Sequence, residues 1–263
     1  MIRKKKKYRL VIKLGTNVLT TDSGELDLLV FQNVVDQISE LKAAGHDIIM
    51  VSSGAVGAGK SIYQLTSVKS TVIQRQVYSA IGQVKLMNLY SDLFTQKGLV
   101  CAQVLTTKGD FTSGLENYKN MKNCFRGLIK DSIIPIVNEN DVVSLQELMF
   151  TDNDELAGLT AFMIGADKLI ILSNMNGLYT GHPDDEGSEL ISEVSPNDTK
   201  VLKYISSKKS GGGRGGMKSK LNVALIAADK GIETHIANGK VKDIVLDILS
   251  GKKVGTKFLA KKN

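Results

Sequence analysis

Five short apolar runs, YRLVIKL, HDIIMV, LVCAQVL, SIIPIVN and DKLIILS, constrain the fold of this chain more than any other feature. A strand with one solvated face alternates apolar and polar residues. A run that is apolar on both faces belongs to a sheet covered on both sides, as parallel sheets are. Helical spacing fills the intervals. Leu28, Phe31, Val34, Val35, Ile38 and Leu41 recur every three or four residues, and Gly45 stops that helix. Further helices are predicted from about Val72 to Gln96, from roughly Asn117 to Lys130, over ELAGLTAFMIGA to Gly165, over LNVALIAADKG and around VKDIVLDIL, with another strand at ETHIA. Residues 181–199 are polar, hold two of the three prolines, and read as an excursion. Strands alternating with helices imply an α/β fold with a mainly parallel sheet, whose ligands bind beyond the carboxyl ends of the strands.

Composition removes several classes of function. No apolar run approaches the roughly 18 residues of a membrane span. The basic start, MIRKKKKYRLVIKL, has too short an apolar part and no small-residue cleavage site, so it is not read as a signal peptide. Cys101, Cys124 and three scattered histidines give neither a disulfide framework nor metal-ligand spacing, and a cytoplasmic setting is expected. The net charge of +7 suggests nucleic acid until it is located. Six basic residues lie in 1–9 and five in 252–263, with no acids; removing these eleven charges from +7 leaves −4 for the rest. The basicity belongs to the ends, which are expected to be solvated, partly disordered tails and not a nucleic-acid site.

Five clusters fall at strand ends. KLGTN puts Lys13 and an approachable backbone together, which suits a phosphoryl group. SSGAVGAGKS contains G-x-x-x-x-G-K-[ST], the spacing of a phosphate-binding P-loop ending in Lys60. A P-loop also needs an apolar strand ending in an acid. The nearest candidate, SIIPIVNEND, carries a proline and reaches Asn138 before any acid, so a P-loop and an ordinary glycine turn both remain open. NENDVVS and TDNDELA are two acid-amide clusters. Helix capping accounts for Asp152, with Glu155 reaching back, but not for Asn153, Asp154 or the upstream cluster. In GGGRGGMKSKL, Lys218 and Lys220 stand at a helix start, where the macrodipole disfavours cations unless an anion shares the site.

In this order, VIKLGTNVLT, AAGHDIIMVSSGAVGAGK, PIVNENDVVS, TDNDELAGLTA, GADKLIILSNMNGLYT, GGMKSKLNVALIAADKGIET and VGTKF resemble the amino acid kinase family, most closely its glutamate-phosphorylating members. The resemblance runs from about residue 8 to 258. It implies a three-layer α/β sandwich with a mainly parallel central sheet. The implied plan is a basic tail (1–8), a kinase domain (9–258) with a substrate lobe (about 9–165) and an ATP lobe (166–258), and a second basic tail (259–263). It also implies a chain without a C-terminal PUA domain.

The implied catalytic residues are Lys13 and Lys220, flanking the transferred phosphoryl, and Asp154, which holds both. Ser53, Gly54, Asp141 and Asn153 match the glutamate site, with Asp141 facing the substrate ammonium. Lys13, Gly15, Ser173, Asn174, Arg214, Gly215, Gly216, Met217, Lys218, Ser219 and Lys220 match the ATP site, Gly15 and Gly54 offering backbone amides. The chain departs from the family where Ser173 and Asn174 replace Thr-Asp, Arg214 replaces a common Thr, and His182 replaces a common acid. The implied cofactors are ATP and Mg2+, the metal carried by the nucleotide with no dedicated protein site. Implied partners are L-glutamate, ATP, a glutamate-5-phosphate reductase receiving the product, and other copies of the chain in a dimer or tetramer; neither membrane nor nucleic acid is implied. On this reading Lys60 follows a substrate loop and its P-loop match is coincidental. The remaining rivals are a kinase of the same family acting on N-acetylglutamate, aspartate, carbamate or a nucleoside monophosphate, and a regulatory nucleotide binder on the same fold.

Overall fold

The first apolar run forms β1 (Arg9–Leu14), and the parity of its residues divides the molecule into two cores. Leu10, Ile12 and Leu14 enter one apolar cluster, while Val11 enters the other. The computed structural model describes residues 6–112, 115–144, 152–196, 198, 201, 203 and 216–262. Parallel to β1 on its two sides run β2 (Asp47–Ser52) and β5 (Lys168–Ser173), with Lys13 in register with Val51 and Ile171. Beyond β2 lie β4 (Ile134–Glu139) and β3 (Cys101–Thr106). Beyond β5 lie β7 (Glu233–Asn238), β8 (Thr256–Phe258) and β6 (Glu193–Val194).

Among the described residues the sheet has eight strands in the order β3-β4-β2-β1-β5-β7-β8-β6, and only the β7–β8 pair is antiparallel. On the face of Leu10 and Ile12 pack α2 (Leu28–Ala43), α4 (Thr71–Gln96) and α9 (Ile244–Ser250). On the face of Val11 pack α6 (Leu115–Lys130), α7 (Asn153–Ile164) and α8 (Met217–Asp229). Short helices α1 (Thr16–Leu19), α3 (Ala55–Ile62) and α5 (Lys108–Thr112) follow β1, β2 and β3. This is the expected three-layer α/β sandwich. The chain moves outward from β1 toward β3 in its first half and toward β7 in its second, so the strand order reverses at the centre. Crevices at such reversals are where open α/β sheets bind ligands.

Local signals account for the helix ends that shape the site. Asp152 caps α7, accepting from the amides of Asp154 at 2.9 Å and Glu155 at 3.1 Å. Glu155 pairs with Lys108 at 2.7 Å. Gly165 closes α7 in the left-handed region at φ 64°. Residues 259–261, expected in a solvated tail, are instead bonded to the fold. The Leu259 amide donates to Val194 O at 3.0 Å, the Lys261 amide to Ala228 O at 2.8 Å, and Lys261 pairs with Asp229 at 2.8 Å. Pairing of β8 with β7 carries the chain back across α8 and ties residues 259–261 down. At the other end, Arg9 donates to Ile164 O and pairs with Asp47.

The two helices α3 and α4 cross with their backbones nearly touching. A Cβ on Gly59 would lie 1.9 Å from Tyr78 O, and one on Gly82 would lie 1.8 Å from Ala55 O. Replacing a mid-helix glycine by alanine ordinarily gains about 1 kcal/mol of helix propensity. Here the side chain meets rigid backbone, and overpacking costs at least roughly 1–3 kcal/mol. Gly82→Ala is therefore expected to destabilise the protein; a urea midpoint equal to or above that of the unaltered chain would contradict this packing.

Candidate active site

Lys13, Asp154 and Lys220 come from β1, α7 and α8 and meet beyond the carboxyl end of the sheet. Lys13 continues the parity of Val11, so its stem runs toward α7 and α8. Its ammonium lies 2.7 Å from Asp154 Oδ1, and that of Lys220 donates to Asp154 Oδ2 at 2.8 Å. Asp154 is fully buried, with Lys13 and Lys220 only 4% and 7% exposed. Burial pushes the Asp154 carboxyl up, but the two ammonium groups outweigh it and hold it below its ordinary value. Burial draws Lys13 below the usual lysine value; Asp154 opposes this and Lys220 adds to it. The macrodipole conflict read from Lys220 at the start of α8 is thus met by a carboxylate of the protein itself. Lys218, two residues earlier, is exposed.

Next to this cluster, Asn153 ties three segments together. Its Nδ2 donates to Ser52 O at 3.2 Å, Ser53 Oγ at 2.9 Å and Asn138 Oδ1 at 2.9 Å. Gly54 adopts φ 106° and opens α3, whose first amides have no intrahelical acceptor. Asp141 is 7% exposed and lines a cavity of about 380 Å³ together with Ser79, Gln83, Glu139 and Val142. Three residues missed by the motif search grip this region from α4. Arg75 and Ser79 bind Asp141, and Gln83 Oε1 accepts from Asn138 Nδ2 at 3.0 Å. Asn138 itself stood in the NEND cluster. The α4 residues gave no motif signal, but their spacing of four puts them on one helix stripe.

Among the residues expected to face a nucleotide, Ser173 ends β5 with its hydroxyl accepting from the Met175 amide at 3.0 Å. Asn174 beside it is exposed, and Met217 and Ser219 lie half-buried in the first turn of α8 behind its cap, Gly216. Gly15 differs from expectation. Its amide donates to Leu172 O at 3.2 Å, so it is spent in the backbone. What the residue offers is space, because a Cβ there would stand 3.4 Å from Lys13 Nζ. Arg214 and Gly215 lie outside the described residues. Among the described residues no group of three or more His, Cys, Asp and Glu side chains could hold a metal ion, and no helix is long and apolar enough to cross a membrane.

The structure answers the question of Lys60. It sits exposed in the last turn of α3, its ammonium over the Tyr78 ring at 5.8 Å from the centroid. Gly59 serves the crossing with α4. The glycine spacing therefore supports helix packing, and the lysine meets Tyr78, while Asp154 pairs with Lys13 and Lys220. Lys60→Ala is expected to keep kcat and both KM values within about threefold, since exposed substitutions seldom shift energies by more than about 0.5 kcal/mol. A loss above tenfold in the folded variant would return this loop to the nucleotide.

The chain matches the amino acid kinase family over residues 8–238. It is 46% identical over 254 residues to a glutamate 5-kinase of Chlorobaculum tepidum, covering 97% of this chain and 70% of that protein. To a glutamate 5-kinase of Bacteroides thetaiotaomicron it is 47% identical over 241 residues, covering 92% and 66%. Among solved structures, carbamate kinase from Giardia lamblia bound to AMP-PNP superposes with a TM-score of 0.71 at 18% identity, over 97% of this chain and 99% of that one. An isopentenyl phosphate kinase superposes at 0.66 and 17% identity, over 95% and 100%. These last two share the sandwich. The match over residues 8–238, with the identities to the first two relatives, shows that the chain belongs to the amino acid kinase family.

Proposed function

We propose that this chain transfers the γ-phosphoryl of ATP to the side-chain carboxylate of L-glutamate, giving γ-glutamyl 5-phosphate and ADP, the first step of proline biosynthesis. The observation that carries this reading is the seating of Lys13 and Lys220 on the two oxygens of Asp154, beside a loop region held by Asn153. Similarity to proteins named glutamate 5-kinase supports the acceptor. Two ammonium groups against one carboxylate suit the charge of a triphosphate. Mg2+ bound with the nucleotide would supply further positive charge there.

A carboxylate is already nucleophilic at neutral pH, so the chain needs no general base. One oxygen of the glutamate side chain forms a bond to the γ-phosphorus, and the bond to the bridging oxygen of ADP breaks. Lys13 and Lys220 neutralise the charge on the moving phosphoryl, and Asp154 holds them in line. Ser53, Gly54 and Asn153 orient the acceptor, and Asp141 receives its ammonium. Ser173, Asn174 and the start of α8, with the loop from Arg214, hold the nucleotide. The same reading carries a cytoplasmic setting, a homo-oligomer, and handover of the labile acyl phosphate to a glutamate-5-phosphate reductase.

Hydroxylamine trapping tests it, because a hydroxamate forms only once an acyl phosphate exists. With ATP and Mg2+, glutamate is expected to give signal, and N-acetylglutamate and aspartate little. Signal favouring another acid would move the acceptor. None with any acid, while ATP binds, would point to a regulatory nucleotide binder.

A further inference from the structure

We infer that Arg75 is a positioning residue for the acceptor's ammonium group, acting through Asp141. The inference rests on the proposed acceptor, glutamate. Arg75 lies near the start of α4, outside every motif that suggests function. Its Nε and Nη2 donate to Asp141 Oδ1 at 2.9 Å and 2.7 Å, while Ser79 Oγ, one turn further along α4, donates to Oδ2 at 2.8 Å. Nη2 also approaches Glu139 Oε2 at 3.6 Å. In the same stretch of helix, Gln76 Nε2 donates to Val142 O at 3.0 Å, so the turn bearing Asp141 is held by backbone and side chain alike.

A carboxylate has about four lone-pair sites. Arg75 takes two on Oδ1 and Ser79 takes one on Oδ2, which leaves one Oδ2 site among the contacts of the described residues. Three fixed donors thus aim a single acceptor position of a buried acid. That is preorganisation for one further donor, and an ammonium is the donor whose charge a carboxylate best rewards. Arg75 also carries a positive charge that repels the incoming ammonium. Its side chain is 28% exposed, so solvent weakens that repulsion, while the directional bonds to Asp141 lie at a residue only 7% exposed. Positioning therefore outweighs repulsion.

The test is steady-state kinetics by hydroxamate formation, with thermal melts to establish folding. Arg75→Ala is expected to raise KM for glutamate roughly ten- to hundredfold, the range for losing bonds to a charged group. KM for ATP should stay within about twofold. Arg75→Lys, which keeps the charge and one contact but loses the fork, should recover part of the loss. Ser79→Ala should raise KM for glutamate by a smaller factor. An unchanged or lower KM for glutamate in Arg75→Ala overturns the inference. So does an equal rise for both substrates, which would mark a general structural role; if Arg75→Ala fails to fold, Arg75→Lys with a native glutamate KM overturns it instead. Failure of the unaltered chain to phosphorylate glutamate, with signal from another acid, overturns the acceptor reading and this inference together.

Discussion

Replacing Lys220 by methionine is expected to lower kcat by roughly 10²–10³, the usual cost of removing one preorganised donor to developing charge. Methionine keeps much of the aliphatic stem that packs between α7 and α8, and Asp154 keeps Lys13 as a partner. The fold should therefore survive, as circular dichroism would report. Lys13→Met should lose a similar factor. Because both ammonium groups act on one phosphoryl and share one carboxylate, the double substitution should cost less than the product of the single losses. A single variant within about threefold of the unaltered kcat would remove that lysine from the transfer step.

Asp154→Asn should damage both rate and stability. It leaves two buried ammonium groups facing a neutral amide, and breaking a buried pair typically costs about 3–5 kcal/mol. The pH dependence has a definite sign. In the unaltered protein the Asp154 carboxyl is held below its ordinary value of 3.8, so its contribution is complete above that pH and is lost as pH falls below it. In the variant Lys13 loses its counter-charge, and its folded value falls further below the ordinary 10.5 from which it is already lowered. A lysine with a depressed folded value penalises the native state at low pH and less so as pH rises. The stability deficit of Asp154→Asn should thus be larger at pH 7 than at pH 9.5 in guanidinium melts. An equal deficit at both would mean that Lys13 does not depend on Asp154 for its charge.

The strands, the long helices and the members of the Asp154 cluster were each legible because each is written locally. Runs apolar on both faces announce buried strands, and Lys13, Asp154 and Lys220 stand in short motifs at strand or helix ends. Their meeting was not legible from spacing, since residues 13, 154 and 220 are joined only by the strand order and by the parity that turns Lys13 toward α7 and α8. The P-loop spacing by itself left two readings open because glycine serves helix crossing and phosphate approach equally well. Arg75, Ser79 and Gln83 escaped notice for the opposite reason: on an amphipathic helix a polar stripe reads as a solvated face until a partner covers it. The short strands β6 and β8 were missed because two or three residues carry no periodicity, and the ordered C-terminus follows from them.

The close crossing at Gly59 and Gly82 has a consequence for redesign. Through it α4 fixes the helix that Gly54 opens, and through Arg75, Ser79 and Gln83 it fixes Asp141 and Asn138. The surfaces proposed to face the acceptor therefore share α4 as a scaffold, joined through Asn153 to α7, which carries Asp154. A new acceptor preference would have to be transplanted as α4 with its inward stripe and both glycines, not as the loop alone. Asn153 would have to stay in place, since it joins that scaffold to the helix bearing Asp154.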